Sequence, residues 1–289
     1  MEEERMAALT ISADEEKRLK GLGFLNNKGT DSFSARVITG NGRVTAAQHR
    51  RMAEAAERFG NGTLTYTTRQ TVEIPGIPYE KIGEFQSFLA EEGLMAGGTG
   101  PKVRPVVSCK GTTCQYGLLD SYALSEEIHQ RFYVGYHDVK LPHKFKIAVG
   151  GCPNNCVKPN LNDLGVVGQR IPQFHKELCK GCKKCAVEAA CPVGASKVVD
   201  GVLVRNTELC NQCGRCIGTC RFDSITDGTY GYKIYIGGRW GKKVAMGRAL
   251  NQFFTTKEEV MTVIEKAILF FKDHGQQGER FADTIARLG

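Results

Sequence analysis

The chain carries twelve cysteines, and they fall in short-spaced groups. The first four form two pairs, CKGTTC (Cys109, Cys114) and GGCPNNC (Cys152, Cys156). The other eight form two runs: Cys179, Cys182 and Cys185 followed by Cys191, then Cys210, Cys213 and Cys216 followed by Cys220. A C-x2-C-x2-C run sets three thiolates on one tight turn, where they can share a metal centre. A few buried free cysteines would be ordinary, but twelve at repeated spacings read as ligands. Zinc also takes paired C-x2-C groups, yet two triplets, each with a fourth cysteine, favour iron–sulfur clusters. Those eight leave no open position for substrate, so they make an electron wire. The first four sit on two loops that can enclose a third cluster. Gly111, Gly150, Gly151 and Pro153 allow the tight turns that aim thiolates and amide N–H groups at sulfide.

The rest of the chain must position these groups. The length of 289 residues, with 41% hydrophobic and 24% charged content, is that of a globular protein with a real core. No run of apolar residues is long enough for a membrane helix. The acidic start, MEEERMAALTISADEEKRLK, does not read as a signal peptide. The expectation is a cytoplasmic protein with reduced thiols, no membrane insertion and no disulfides. The net charge is +8. Thiolate-held clusters, at about two negative charges each, offset part of it, and an anionic cofactor can use the rest. No basic run or helix-turn-helix pattern supports nucleic acid.

An amphipathic helix is expected near Ser12–Lys20, a strand over Asp31–Thr39, and a helix capped by Thr45 that ends at Gly60. GTLTYTTRQTVEI reads as strands and Pro78–Glu92 as a helix closed by Gly93. This order suits a ferredoxin-like α+β unit. Ser121–Tyr136 reads as a helix, FKIAV (Phe145–Val149) as a strand running into GGCPNNC, YKIYIGG as a strand and Lys257–His274 as an amphipathic helix. The expected division is 1–95 as a ferredoxin-like half-domain, 96–175 with 229–289 as a catalytic domain, and 176–228 as an inserted cysteine-rich domain. HKFKI alternates, so Lys144 and Lys146 share a face, Phe145 turns to the core and His143 points away from Lys144. The other five histidines form no constellation.

The eight later cysteines resemble those of a bacterial two-cluster ferredoxin, in which the fourth cysteine of each run serves the other cluster. The resemblance implies one cluster on Cys179, Cys182, Cys185 and Cys220, and another on Cys210, Cys213, Cys216 and Cys191. Beyond them, GGCPNNC resembles the C-x3-C half-motif of the sulfite and nitrite reductases that couple sirohaem to a [4Fe–4S] cluster. The CKGTTC spacing departs from that family's C-x5-C by one residue. Further segments carry the likeness: FSARV, YTTRQTVEI, KVRPVVSC, LPHKFKIAV and GGRWGKK. The resemblance covers roughly 20–289 and implies an α+β fold: a ferredoxin-like half-unit, a sirohaem/[4Fe–4S] domain and an inserted two-cluster ferredoxin domain.

By the same resemblance, the cofactors are sirohaem and three [4Fe–4S] clusters. Cys109, Cys114, Cys152 and Cys156 hold the third cluster, and Cys156 bridges to sirohaem. Arg69 and Arg239 contact sirohaem, and Arg36, Arg104, Lys144 and Lys146 hold the substrate oxygens. The implied activity is six-electron reduction of sulfite to sulfide by an enzyme of the anaerobic type. Nitrite reduction to ammonia is the alternative; in the resembling nitrite enzymes the position of Lys146 tends to be Asn. A non-catalytic electron-transfer subunit is a further alternative, but it leaves the Arg and Lys side chains without a task. One copy of the half-unit implies a homo-oligomer or a complex with a related subunit. The donor would be a separate ferredoxin or a flavin or nicotinamide subunit, because no G-x-G-x-x-G follows a strand here.

Overall fold

The computed structural model describes residues 11–289, so the stretch 1–10 of the acidic start lies outside the described residues. The chain forms two compact units. Of the described residues, one comprises 11–107 with 125–147 and 270–284; the other comprises 108–124, 148–269 and 285–289.

The first unit opens with α1 (Ala13–Gly21), capped by the Ser12 hydroxyl, which accepts from the Glu15 amide. Strands β1 (Phe24–Asn26) and β2 (Ser32–Val37) pair antiparallel. Along β2 the burial alternates strictly: Phe33, Ala35 and Val37 are buried while Arg36 faces outward. Helix α2 (Ala46–Phe59) starts with a full capping box between Thr45 and Gln48. Strands β3 (Thr65–Tyr66) and β4 (Val72–Pro78) form a hairpin, and α3 (Ile82–Ala90) follows a short 3₁₀ turn. The sheet order is β1-β2-β4-β3. Phe24, Phe33, Phe59 and Phe85 anchor the core beneath it. The Thr-rich run read as strands is thus broken by a turn at 67–71, and Arg69 sits on that turn. The cause is local. Gln70 has a φ of 61°, and the Thr67 and Thr71 hydroxyls hydrogen-bond to each other at 2.7 Å.

The other unit carries a five-stranded sheet. Strand β5 (Val107–Ser108) leads to Cys109, then come α4 (Ser121–Ile128), β6 (Ile147–Gly150) and β7 (Leu164–Phe174). Helix α5 (Ala186–Ala190) and the antiparallel hairpin of β8 (Ser196–Val199) and β9 (Val202–Arg205) lie in the cysteine-rich segment. Strands β10 (Ile225–Ile236) and β11 (Arg248–Ala249) complete the sheet, in the order β11-β10-β7-β6-β5. Strands β7 and β10 pair antiparallel from Phe174↔Ile225 onward. The cysteine-rich segment therefore leaves and rejoins the sheet at paired neighbouring residues, which is the geometry of a long hairpin excursion. It has its own small core of Val187, Leu203 and Ile225.

Helices α6 (Lys257–His274) and α7 (Phe281–Leu288) end the chain. Val260, Ile264, Ile268 and Phe271 of α6 are buried, as the sequence pattern requires. The expected helix 121–136 is α-helical only to Ile128 and continues as a π-helix, His129–Val134. No described helix is long and apolar enough to cross a membrane.

Candidate functional site

In the first unit, Arg36, Arg69, Arg104, Lys144 and Lys146 line one cavity of about 270 Å³. Among the described residues, its lining holds no carboxylate. Such a convergence of cations in a walled cleft creates a strong positive potential and suits a multiply charged anion.

Each cation is held by its element. Strand alternation on β2 points Arg36 outward, where Glu73 of β4 stands directly across the register. The Arg36 Nε donates to Glu73 Oε1 at 2.9 Å, which orients the guanidinium. The Arg69 turn is closed by Thr67 N–H to Thr71 carbonyl at 2.9 Å and by Thr39, whose hydroxyl donates to the Gln70 carbonyl. Arg69 Nη2 donates to the Pro105 carbonyl at 2.8 Å. Arg104 donates to the Gly98 carbonyl. Gly98, at φ 73°, in turn donates its amide to the Tyr133 hydroxyl at 3.0 Å. Burial pushes the Tyr133 phenol above its ordinary range, so it stays neutral in that role.

Lys144 and Lys146 flank Phe145, which is fully buried. Phe145 stacks at 5.1 Å from Phe281 and 6.0 Å from Phe271. Burying the residue between them turns both lysines to the cavity side. His143 Nδ1 accepts the Lys144 amide at 2.9 Å, so it supports the backbone there. Sequence reasoning missed Glu73, Tyr133 and the threonine clasp. The run TYTTRQT was the one signal for the clasp.

In the other unit, two loops bring Cys109, Cys114, Cys152 and Cys156 together. The Cys109 amide donates to the Val149 carbonyl at 3.1 Å, and the Gly151 amide donates to Cys109 Sγ at 3.0 Å. Glycines permit the approach: a Cβ on Gly151 would lie 2.7 Å from Gly111 Cα, and one on Gly117 would lie 1.9 Å from the Gly111 carbonyl oxygen. Burial raises the Cys152 thiol pKa, and the nearby thiols of Cys109, Cys156 and Cys114 raise it further. The other three thiols are thus all within electrostatic range of Cys152. Cys156 is exposed, whereas the other three are half-buried. A four-thiol cradle with an amide aimed at sulfur fits a [4Fe–4S] cluster.

The later cysteines are grouped in a similar way. Burial raises the Cys216 thiol, and Cys210, Cys213 and Cys191 add to it, so Cys191 stands with the second triplet. Cys179, Cys185, Cys216 and Cys220 pack on the small core of Val187, Leu203 and Ile225. Sulfur accepts from Leu203 N–H at Cys179 (3.3 Å), from Ala195 N–H at Cys191 (3.2 Å) and from the Ser224 hydroxyl at Cys220 (3.0 Å). Burial pushes Cys191 up, but the amides of Val193, Ser196 and Ala195 outweigh it and leave that thiol lowered. A cubane spreads its thiolates wider than one ion does, and among the described residues no three such groups form a single-ion site.

A cleft of about 240 Å³ separates the two cysteine systems, lined by Tyr116, Cys152, Arg170, Cys213 and Arg215 among others. The Arg215 guanidinium lies 4.6 Å over the Tyr116 ring. Cys213 bridges to Arg170 of β7, whose amide donates to the Gln212 carbonyl at 2.8 Å and whose side chain forks onto Asp227. Arg239 lies elsewhere in this unit, bridged to Ala245, and does not line the cationic cavity.

The geometry has counterparts among known proteins. A coenzyme F420-dependent sulfite reductase of Methanocaldococcus jannaschii is 31% identical over 82% of this chain and 37% of its own length. The chain thus spans well under half of that relative. An uncharacterised protein of the same organism is 30% identical over 90% of this chain and 88% of its own. The crystal structure of dissimilatory sulfite reductase I aligns with a TM-score of 0.71 at 22% identity, over 89% of this chain and 67% of that one, and so shares the fold. The ferredoxin-like half domain of nitrite/sulfite reductases matches residues 26–92, and the nitrite and sulphite reductase 4Fe-4S domain matches 99–289. With both domains present in order, this chain belongs to the nitrite and sulphite reductase family.

Proposed function

We propose that this protein reduces sulfite to sulfide. The observation that carries the reading is the cavity where five cations converge with no carboxylate among its described lining residues. Sulfite is a small dianion whose oxygens leave as water, so each S–O cleavage needs cations at oxygen and a proton source. Lys144 and Lys146 supply both, as ammonium groups on one side of the cavity. Arg36, oriented by Glu73, and Arg104, anchored on Gly98, add fixed forks for oxygens. Arg69 on its clasped turn binds carboxylates of the cofactor, and Arg239 is a further cofactor contact. When bound, sirohaem coupled to a [4Fe–4S] cluster on Cys109, Cys114, Cys152 and Cys156 supplies the redox-active iron for this six-electron chemistry. Cys156, the exposed thiol of the four, would be the one accessible to sirohaem. The relative named as a sulfite reductase matches 82% of this chain, against 50% and 35% for two named as nitrite reductases; this coverage supports sulfite over nitrite, as does Lys146.

The segment 176–228 serves as an inserted electron-transfer module between a half-domain at 1–95 and a catalytic domain at 96–175 and 229–289. Its ligand sets are Cys179, Cys182, Cys185 and Cys220, and Cys210, Cys213, Cys216 and Cys191. The Cys213 turn, not the Cys179 turn, lines the cleft shared with Cys152. Electrons therefore leave the module on the Cys213 side. Twelve free thiols suit a reducing compartment, the cytoplasm.

Anaerobically purified protein tests the cofactor reading. It should show a Soret and a red absorption band and about twelve cluster iron atoms per chain beyond sirohaem. A broad brown shoulder alone, with full iron and sulfide, would make this an electron-transfer subunit.

A further inference from the structure

The cysteine-rich module has two unlike ends. Its Cys213 end abuts Tyr116 and Cys152 across the cleft. The loop of Cys179, Cys182 and Cys185 carries Lys176, Lys180, Lys183 and Lys184, all exposed, against one acid, Glu177. The later half, from Val202 on, is balanced, with Glu208, Asp223 and Asp227 against Arg205, Arg215 and Arg221. Beside the lysine loop, Leu178, Val199 and Val204 are exposed large apolar side chains, at 39%, 50% and 49%. Val199 and Val204 rim a groove of about 570 Å³ whose charged lining is Lys176, Arg205 and one acid, Asp200.

We infer that this lysine-ringed apolar face is the docking surface for an acidic electron-carrier protein, one that delivers electrons at the Cys179 end. The inference rests on the proposed direction of electron flow. Thiolate-held clusters are anionic, so an acidic carrier approaching a bare cluster would be repelled. Four lysines around the loop reverse that sign locally and steer the carrier in. The small apolar patch brings the two redox centres close without a large permanent interface, as transient electron-transfer pairs require. The redox step is a one-electron transfer: the carrier's reduced cluster is oxidised and the cluster at Cys179 is reduced, with no bond made or broken.

The test uses the full holoprotein, with and without Lys180→Glu, Lys183→Glu and Lys184→Glu together. A reduced acidic two-[4Fe–4S] ferredoxin and reduced methyl viologen serve as probes. Cluster bleaching is followed by stopped flow without sulfite, so the readout stands whether or not the chain reduces sulfite. Binding of the oxidised ferredoxin is measured by calorimetry at low salt. The triple variant should lose about tenfold or more in ferredoxin-driven rate and most of its salt dependence. Its reduction by methyl viologen should be unchanged. Replacement of the same lysines by arginine should keep the ferredoxin rate, and Lys266→Glu on α6 should leave it unaltered. Equal loss with both donors, no loss with ferredoxin, or a matching loss in Lys266→Glu would overturn the inference. Failure of methyl viologen to yield sulfide with wild-type protein would instead count against the proposed function and leave the docking result standing.

Discussion

At the scale of single residues, the cavity cations divide into those that bind and those that are aimed. Lys144→Ala should lower kcat/KM for sulfite by about 10²-fold, the usual loss when one preorganised charge at a reacting oxygen is removed. The Soret band of the purified variant should persist, since the lysine does not hold the cofactor. Lys146→Asn should instead shift the sulfite-to-nitrite preference toward nitrite by about tenfold in competition assays. The cysteines were legible from spacing alone, because C-x2-C places thiols on one turn whatever the surroundings. Lys144 and Lys146 were legible for a similar reason: alternation about a buried Phe145 is a local property. Glu73 and Tyr133 were not. Glu73 reaches Arg36 across a sheet register, and Tyr133 reaches Gly98 from a distant segment. Only the folded topology reveals such partners.

At the scale of elements, the glycine contact between the cysteine loops makes a direct prediction. Gly151→Ala would put a methyl 2.7 Å from Gly111 Cα, where backbone cannot yield cheaply. The variant should lose about four iron atoms per chain, while the iron–sulfur signals of the 176–228 module remain in its EPR spectrum. The Thr45 capping box is a plainer case. Thr45→Ala should cost about 1 kcal/mol in denaturant unfolding with no change in cofactor content. Both α2 and its cap were evident from TAAQ before an amphipathic run. The turn at Arg69 was not, because β-branched threonines favour strands and only their hydroxyl clasp breaks the run. The π-helix after α4 also escaped the pattern, since one extra residue per turn leaves no mark in apolar spacing.

His129 lies in that π-helix, 4.6 Å from the Tyr133 ring, and burial lowers its pKa, with Glu126 opposing in part. The folded chain therefore binds this proton less readily than the unfolded chain. Its contribution to stability is full above about pH 6.5 and is lost as pH falls through that value toward the lowered folded one. His129→Gln should flatten the acid side of a stability–pH curve in that window.

At the scale of the molecule, the two matched domains appear once each, at 26–92 and 99–289. The ferredoxin-like half domain and the cysteine-rich excursion between β7 and β10 were legible because hydrophobic periods and cysteine spacing are carried by contiguous sequence. What lay beyond reach was which end of the module faces Cys152, a matter of long-range pairing between β7 and the Cys213 turn. The proposed assembly, either of like copies or with a related subunit, is open to direct test. Sedimentation at micromolar concentration should show it, and a fully active monomer at nanomolar concentration would contradict it. The central claim is sulfite reduction in a cavity of five cations. Steady-state kinetics of the holoprotein with reduced methyl viologen, scoring sulfide and ammonia as products, test it most directly. The account predicts sulfide as product and a higher kcat/KM for sulfite than for nitrite; no sulfide, or a much higher kcat/KM for nitrite, would contradict it.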